Sequence, residues 1–237
     1  MSGMFQTFSW HHVGFLAQAG LWTLLLSTVA LFGGAIFGAL LMLARISIFP
    51  ALRGAAAAYI YVVQGIPLLV LLFIAYFGVA FAGFDVPPLV SAGVAFTLYA
   101  AAFLGEIWRG SIESVGKGQW EGAAALGLDW PGTMRHVVVP QAIRAAIPPT
   151  VGFFVQLVKN TALSSVIGFV ELTRAGQIVA NATFQPLSVY LTVGAMYFVI
   201  CSCLSYLSRR LDERMRGQGT RAKAATAQPA ALAAAIQ

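Results

Sequence analysis

Charge is what this sequence has least of. Only 9% of its 237 residues are Asp, Glu, Lys or Arg, against about 25% in an ordinary soluble domain. That scarcity excludes a soluble globular fold. With 59% hydrophobic residues and a mean hydropathy of +0.82, the chain is an integral membrane protein. Cysteine is nearly absent. Cys201 and Cys203 stand two positions apart in one apolar segment, on different faces of a helix. They cannot easily bridge each other and are expected to be packing residues. His11, His12 and His136 lie outside the apolar segments, and adjacent histidines on a helix diverge by about 100°, a poor chelate. No metal site is expected. No Lys or Arg precedes Arg45, so the basic region of a cleavable signal is missing. A nucleotide-binding loop is missing too. Gly110 to Lys117 has one residue too many before Gly116-Lys117, and Gly118 follows where Ser or Thr is needed. Without a buried Ser/His or carboxylate/His constellation, the chain is expected to perform no covalent chemistry and to bind no cofactor of its own.

What is present is a series of long apolar runs. A membrane span needs about 20 apolar residues. Five stretches qualify, at residues 20–43, 55–81, 88–108, 145–169 and 186–207. The predicted fold is all-α and polytopic, with about five transmembrane helices. The basic residues fall at the ends of these spans. Arg45 and Arg53 follow the first; Arg109, Lys117, Arg135 and Arg144 follow the third. Arg209, Arg210, Arg214, Arg216, Arg221 and Lys223 follow the fifth. The opposite side holds Arg174 alone, and Lys159 lies within the fourth span. The positive-inside rule then places the N-terminus outside and the C-terminus in the cytoplasm. The same clustering explains the net charge of +6 without a nucleic-acid partner. Residues 1–19 are expected to form an outer-surface helix or aromatic anchor, residues 20–216 the membrane domain, and the Ala-rich residues 217–237 a disordered tail or weak helix.

One segment breaks the apolar pattern. Residues 109–144 are polar and punctuated by Gly and Pro, and charge counting puts them in the cytoplasm. Gly116 and Gly118 interrupt the chain before a short helix through Trp120 to Leu126. Gly127 suits the position just past its end, where a positive φ is easy only for Gly. Asp129 can cap a second helix opening at Trp130-Pro131, which is expected to finish before Pro140. The prediction is a compact helix-turn-helix knob in which Ala123, Ala124 and Ala125 permit close approach.

The spacing within this knob resembles the EAA loop of ATP-binding-cassette importer permeases. That pattern is Glu-Ala-Ala, three residues, Gly, nine residues, Ile, one residue, Leu-Pro. Glu121, Ala123, Gly127 and Pro140 fall in register, Gly122 replaces the first Ala, and Val137 and Val139 replace Ile and Leu. The resemblance extends to the polar-amino-acid branch of the family through Thr23-Leu24, Gln64-Gly65-Ile66-Pro67, Tyr76-Phe77-Gly78, Glu106-Ile107-Trp108-Arg109-Gly110, Lys159-Asn160-Thr161 and Glu171-Leu172-Thr173. It covers roughly residues 20 to 215. Where that branch typically carries Arg and Gln, this chain has Gln64 and Leu71. The resemblance implies an importer subunit for a polar amino acid or similar small solute in the bacterial inner membrane, working by alternating access. It also implies its partners: ABC ATPase subunits that bind ATP and Mg, a second identical or related permease subunit, an external solute-binding protein and membrane lipid. In that family the segment corresponding to Glu121–Pro140 docks in a groove of the ATPase.

Polar residues inside spans mark candidate pathway positions. Lys159 is the most costly, at about 2.5–3.5 kcal/mol on insertion scales. Asn160, Thr161 and Gln156 lie close to it in sequence. Gln64 precedes the Gly65–Pro67 break, whose freed backbone groups are tolerated against protein or a water-filled cavity. The bland alternative for Lys159 is snorkelling to the outer surface or an ion pair with Glu171. Glu106 and Arg109, three apart, are expected to pair structurally on one helix face. A stand-alone secondary transporter or channel would explain the spans and Lys159 but not the knob. A non-transporting scaffold could use the knob as an adaptor.

Overall fold

A computed structural model describes residues 8–234, with side-chain surroundings through Arg210. Among the described residues the protein is helical and has no strand. The helices are α1 (Trp10–Arg45), α2 (Pro50–Gly65), α3 (Leu68–Phe81), α4 (Pro88–Glu113), α5 (Lys117–Ala125), α6 (Trp130–Ile167), α7 (Leu172–Thr183) and α8 (Pro186–Ala234).

Four of these are long and apolar enough to cross a membrane, and α2 with α3 makes a fifth span if the bent pair is counted as one. The bend is 102° and falls at Ile66-Pro67. Pro67 has no N–H to continue the helix, and the residue before a proline is pushed to extended backbone; Ile66 has φ −100° and ψ 131°. The expected second span is therefore two arms at nearly a right angle.

The centre of the fold is the contact between α1 and α4. Apolar side chains alone give helices little reason to associate in lipid, so close backbone approach has to supply the contact. Gly34 and Gly38, four apart on α1, provide it. A methyl group on Gly34 would overlap the Cβ of Ala100, and one on Gly38 would sit 3.1 Å from the Ala101 carbonyl oxygen and the Gly105 nitrogen. Leu26, Ala30, Phe96, Ala100 and Leu104 extend this seam into a core shared with Leu68 and Leu72 of α3 and Phe153 and Leu157 of α6. The outward faces stay apolar, as with Phe32 and Ile36 on α1 and Phe198 on α8, and suit lipid or another apolar surface.

Both ends of the chain are helical among the described residues. The first helix begins at Trp10, ten residues before the predicted span; Ser9 is its N-cap residue, and the His12 ring reaches back to accept from the Ser9 N–H at 3.1 Å. Leu16 and Ala19 are buried against Leu172, Ala175 and Val179 of α7 and Val189 and Val193 of α8. The outer-surface segment is thus the first turns of a span, while residues 1–7 of it lie outside the described residues. At the other end, α8 runs through the expected tail to Ala234. Residues 235–237 lie outside the described residues.

Candidate functional site

The knob has the two-helix form its sequence predicts. Helix α5 ends in a Schellman turn: Gly127 takes φ +72°, its N–H donates to the Ala124 carbonyl (3.0 Å), and the Leu128 N–H donates to the Ala123 carbonyl (3.1 Å). Asp129 then caps α6, its carboxylate accepting from the Gly132 N–H at 2.9 Å, with Pro131 in the first turn. Ala123 faces inward and is buried. Met134, Val138 and Ala142 of α6 pack with Ile112 and Val115 at the end of α4, and Trp120 packs against this cluster. The Trp120 indole donates to the Val115 carbonyl (3.2 Å), and the Gln141 amide donates to the Gln119 side-chain oxygen (3.0 Å). The knob is tied at its base, its tip and its side.

Pro140 behaves differently from expectation. Helix α6 does not stop before it but runs through to Ile167. The backbone widens to a π turn over Met134–Val138, where the Val139 N–H reaches the Met134 carbonyl. A proline ring clashes with the carbonyl four residues back and offers no N–H, and a wide turn just before it relieves both problems. The second helix of the knob and the span are therefore one continuous helix. Of the predicted knob residues, Ala123 points into the base, whereas Glu121 and Pro140 are exposed. Leu126 (82% exposed) gives the turn an apolar tip, and Trp130 (59%) stands exposed at the start of α6.

The end of α4 is braced by ion pairs. Arg109 donates through Nε to Glu106 Oε2 at 3.0 Å, and its two terminal nitrogens contact Glu106 Oε1 and Glu113 Oε1. The predicted Glu106–Arg109 pair is present, enlarged by Glu113 and by Arg45 of α1, whose Nε lies 4.0 Å from Glu106 Oε2.

The predicted pathway residues do not form one cluster. Gln156 and Lys159 lie exposed on α6, and the Gln156 amide donates to Asn160 Oδ1 at 3.1 Å. Thr161 is turned inward, fully buried, and donates to the Val158 carbonyl (2.7 Å). Gln64 is exposed on α2, which packs on α1 and α4, and no hydrogen bond joins it to the α6 group among the described residues. Beside Asn160 stands Tyr99, whose ring lies tilted against Phe103 (centroids 4.5 Å apart) and stacked on Phe153 (6.1 Å). The sequence does not mark this wall, because Phe153 lies fifty residues beyond Phe103 and aromatic residues are common throughout the spans.

The alternative ion pair between Lys159 and Glu171, itself part of the Glu171-Leu172-Thr173 motif, does not form. The Glu171 carboxylate is fully buried and caps α7, accepting from the N–H groups of Thr173 (2.9 Å) and Arg174 (2.8 Å) and from the Tyr197 hydroxyl (2.8 Å). The Leu172 N–H donates to Thr23 Oγ1 of α1 at 3.1 Å. These bonds pin α7 to α1 and α8 at the end of the molecule opposite the knob. Burial pushes the Glu171 carboxyl up from its ordinary pKa, and the hydrogen bonds to it oppose that rise. No group of His, Cys, Asp and Glu suited to a metal ion occurs among the described residues.

This architecture defines a membrane-embedded transport component. Residues 30–217 match the family described as binding-protein-dependent transport system inner membrane component, and the chain belongs to that family. It is similar to the probable amino-acid ABC transporter permease protein YckA of Bacillus subtilis, at 37% identity over 193 residues covering 81% of this chain and 85% of that protein. It is also similar to the glutamine transport system permease protein GlnP of Escherichia coli K12, at 34% identity over 209 residues covering 87% and 95%. Among solved structures, a chain of an amino acid ABC transporter with histidines superposes with a TM-score of 0.84 at 30% identity, covering 88% of this chain and all of that one. The MetNI methionine ABC transporter in inward-facing conformations matches with a TM-score of 0.73 at 20% identity, a likeness of fold. The protein is a multi-pass inner-membrane permease subunit of an ATP-binding-cassette importer, not an enzyme and not a stand-alone secondary transporter or channel.

Proposed function

We propose that this permease carries a polar amino acid or similar small solute inward by alternating access, driven by an ATPase in trans that docks on the knob. Relatives whose names specify amino-acid and glutamine transport support the solute class. The charge asymmetry puts the knob in the cytoplasm, where an ATPase would be. ATP and Mg belong to that partner. A second permease copy or a related subunit completes the pathway, and an external binding protein delivers the solute.

The observation that carries the coupling role is the continuity of knob and span. Closure of an ATPase around Glu121 and Leu126 moves α5, and α6 transmits that motion to Gln156, Lys159 and Asn160. A flexible loop would absorb it. Lys159 has no ion-pair partner among the described residues, which suits a position facing a solute path or a second subunit. Gly127→Pro tests the coupling role, because proline holds φ near about −65° and cannot adopt the left-handed turn. The ATPase should co-purify with the wild type and be lost from the variant together with uptake. Retention of both would refute the coupling role.

A further inference from the structure

At the Arg-rich end, beside the knob, a pocket of about 340 Å³ opens between the α1–α2 turn and the start of α6. Its polar lining is Arg45, Ser47, Arg53 and Glu113, and its aromatic lining is Trp120 and Trp130. The charge balance inside it is uneven. Arg109 engages both Glu106 oxygens and also takes Glu113. That leaves Arg45 4.0 Å from Glu106, with its Nε buried and without a hydrogen-bond partner. Arg53 makes no ion pair among the described residues. Two guanidiniums therefore face a cavity whose only carboxylate is already occupied.

We propose that this pocket binds the phosphate headgroup of an anionic phospholipid and so ties the membrane surface to the base of the knob. Guanidiniums offer forked N–H donors that match phosphate oxygens, and Ser47 adds a hydroxyl. The neighbouring surface favours a lipid over a free phosphate. Ile48 (84% exposed), Phe49 (64%) and Leu52 (49%) stand out from the α1–α2 turn beside the pocket, where acyl chains would lie. Trp120 and Trp130 line the pocket, and tryptophan is enriched where membrane meets water. The bound lipid would bridge Arg45 and Arg53 on the scaffold to Trp130 and Met134 at the root of the lever. The proposal needs the Arg-rich end to lie at a membrane surface; the cytoplasmic placement decides only which leaflet supplies the lipid.

The full-length chain in a phosphatidylcholine nanodisc, titrated with phosphatidylglycerol and read by native mass spectrometry, tests this without any ATPase. The wild type should retain phosphatidylglycerol over phosphatidylcholine. Arg53→Gln, at an exposed position compatible with folding, should lose that preference several-fold, and Arg45→Gln should lose it more. Arg209→Gln, an equal charge loss at the same end on α8, should leave it intact. Equal retention by Arg53→Gln, equal loss in Arg209→Gln, or displacement of the lipid by excess inorganic phosphate would each overturn the proposal. So would an Arg53→Gln chain that keeps the lipid but no longer binds the ATPase, since the pocket would then be a protein-docking site.

Discussion

The two ends of α6 are held in opposite ways. At the Arg-rich end, the knob is shaped by bonds between near neighbours: the Gly127 turn, the Asp129 cap and the Trp120–Val115 contact each join residues at most five apart. At the other end, the α7 cap depends on Thr23 to Leu172, 149 residues apart, and Glu171 to Tyr197, 26 apart. The turn and caps that shape the knob are local, and its longer ties, Gln141 to Gln119 and Met134 to Ile112 and Val115, stay within the same end of the molecule, so the knob can move as a unit. The α7 cap stays put because it is bonded to two spans at once. A lever needs this arrangement, with a self-contained handle and an anchored far end.

The contrast can be broken first at the anchored end. Glu171→Ala would leave the Tyr197 hydroxyl and two backbone N–H groups without their buried acceptor, and each such loss costs about 1–3 kcal/mol. The expected result is a chain destabilised by several kcal/mol, seen as a large fall in thermal midpoint in detergent, while Glu171→Gln keeps part of the network and loses less. At the handle, Asp129→Ala removes an exposed cap and should cost about 1 kcal/mol, with a small midpoint shift. An Asp129 effect as large as that of Glu171 would erase the difference between the ends. Between the two ends, Lys159→Met should assemble normally yet lower uptake at least several-fold in reconstituted vesicles, and unchanged transport would remove Lys159 from the pathway. The smallest effect is one of pH. Because the folded carboxyl of Glu171 has a raised pKa, its contribution to stability is fully present below the ordinary carboxylate range and is lost as pH rises through the raised value. The thermal midpoint should therefore climb slightly as pH falls from neutral, and Glu171→Gln should flatten that slope.

The same contrast explains what could be read in the sequence. Spans, their charged ends and the knob follow from local rules of hydropathy, capping and positive φ, so Gly127 and Asp129 are found where those rules put them. The course of the chain at Pro140 is not legible locally, because a proline can either end an α-helix or be carried by a π turn. The 102° bend was visible as Gly65 and Pro67 but not as an angle. The α1–α4 seam, the Tyr99–Phe103–Phe153 wall and the Glu171 network depend on which helices meet. Gly34 and Gly38 are ordinary small residues until Ala100 and Gly105 are seen against them.

The central claim is that the exposed tip of the knob receives the force from an ATPase. Leu126 is 82% exposed at that tip, so Leu126→Asp should leave the chain folded. Co-purification of the ATPase with the Leu126→Asp chain, at an unchanged thermal midpoint, tests the claim most directly. The account predicts that the ATPase is lost and uptake stops; full retention of the ATPase with normal uptake would contradict it.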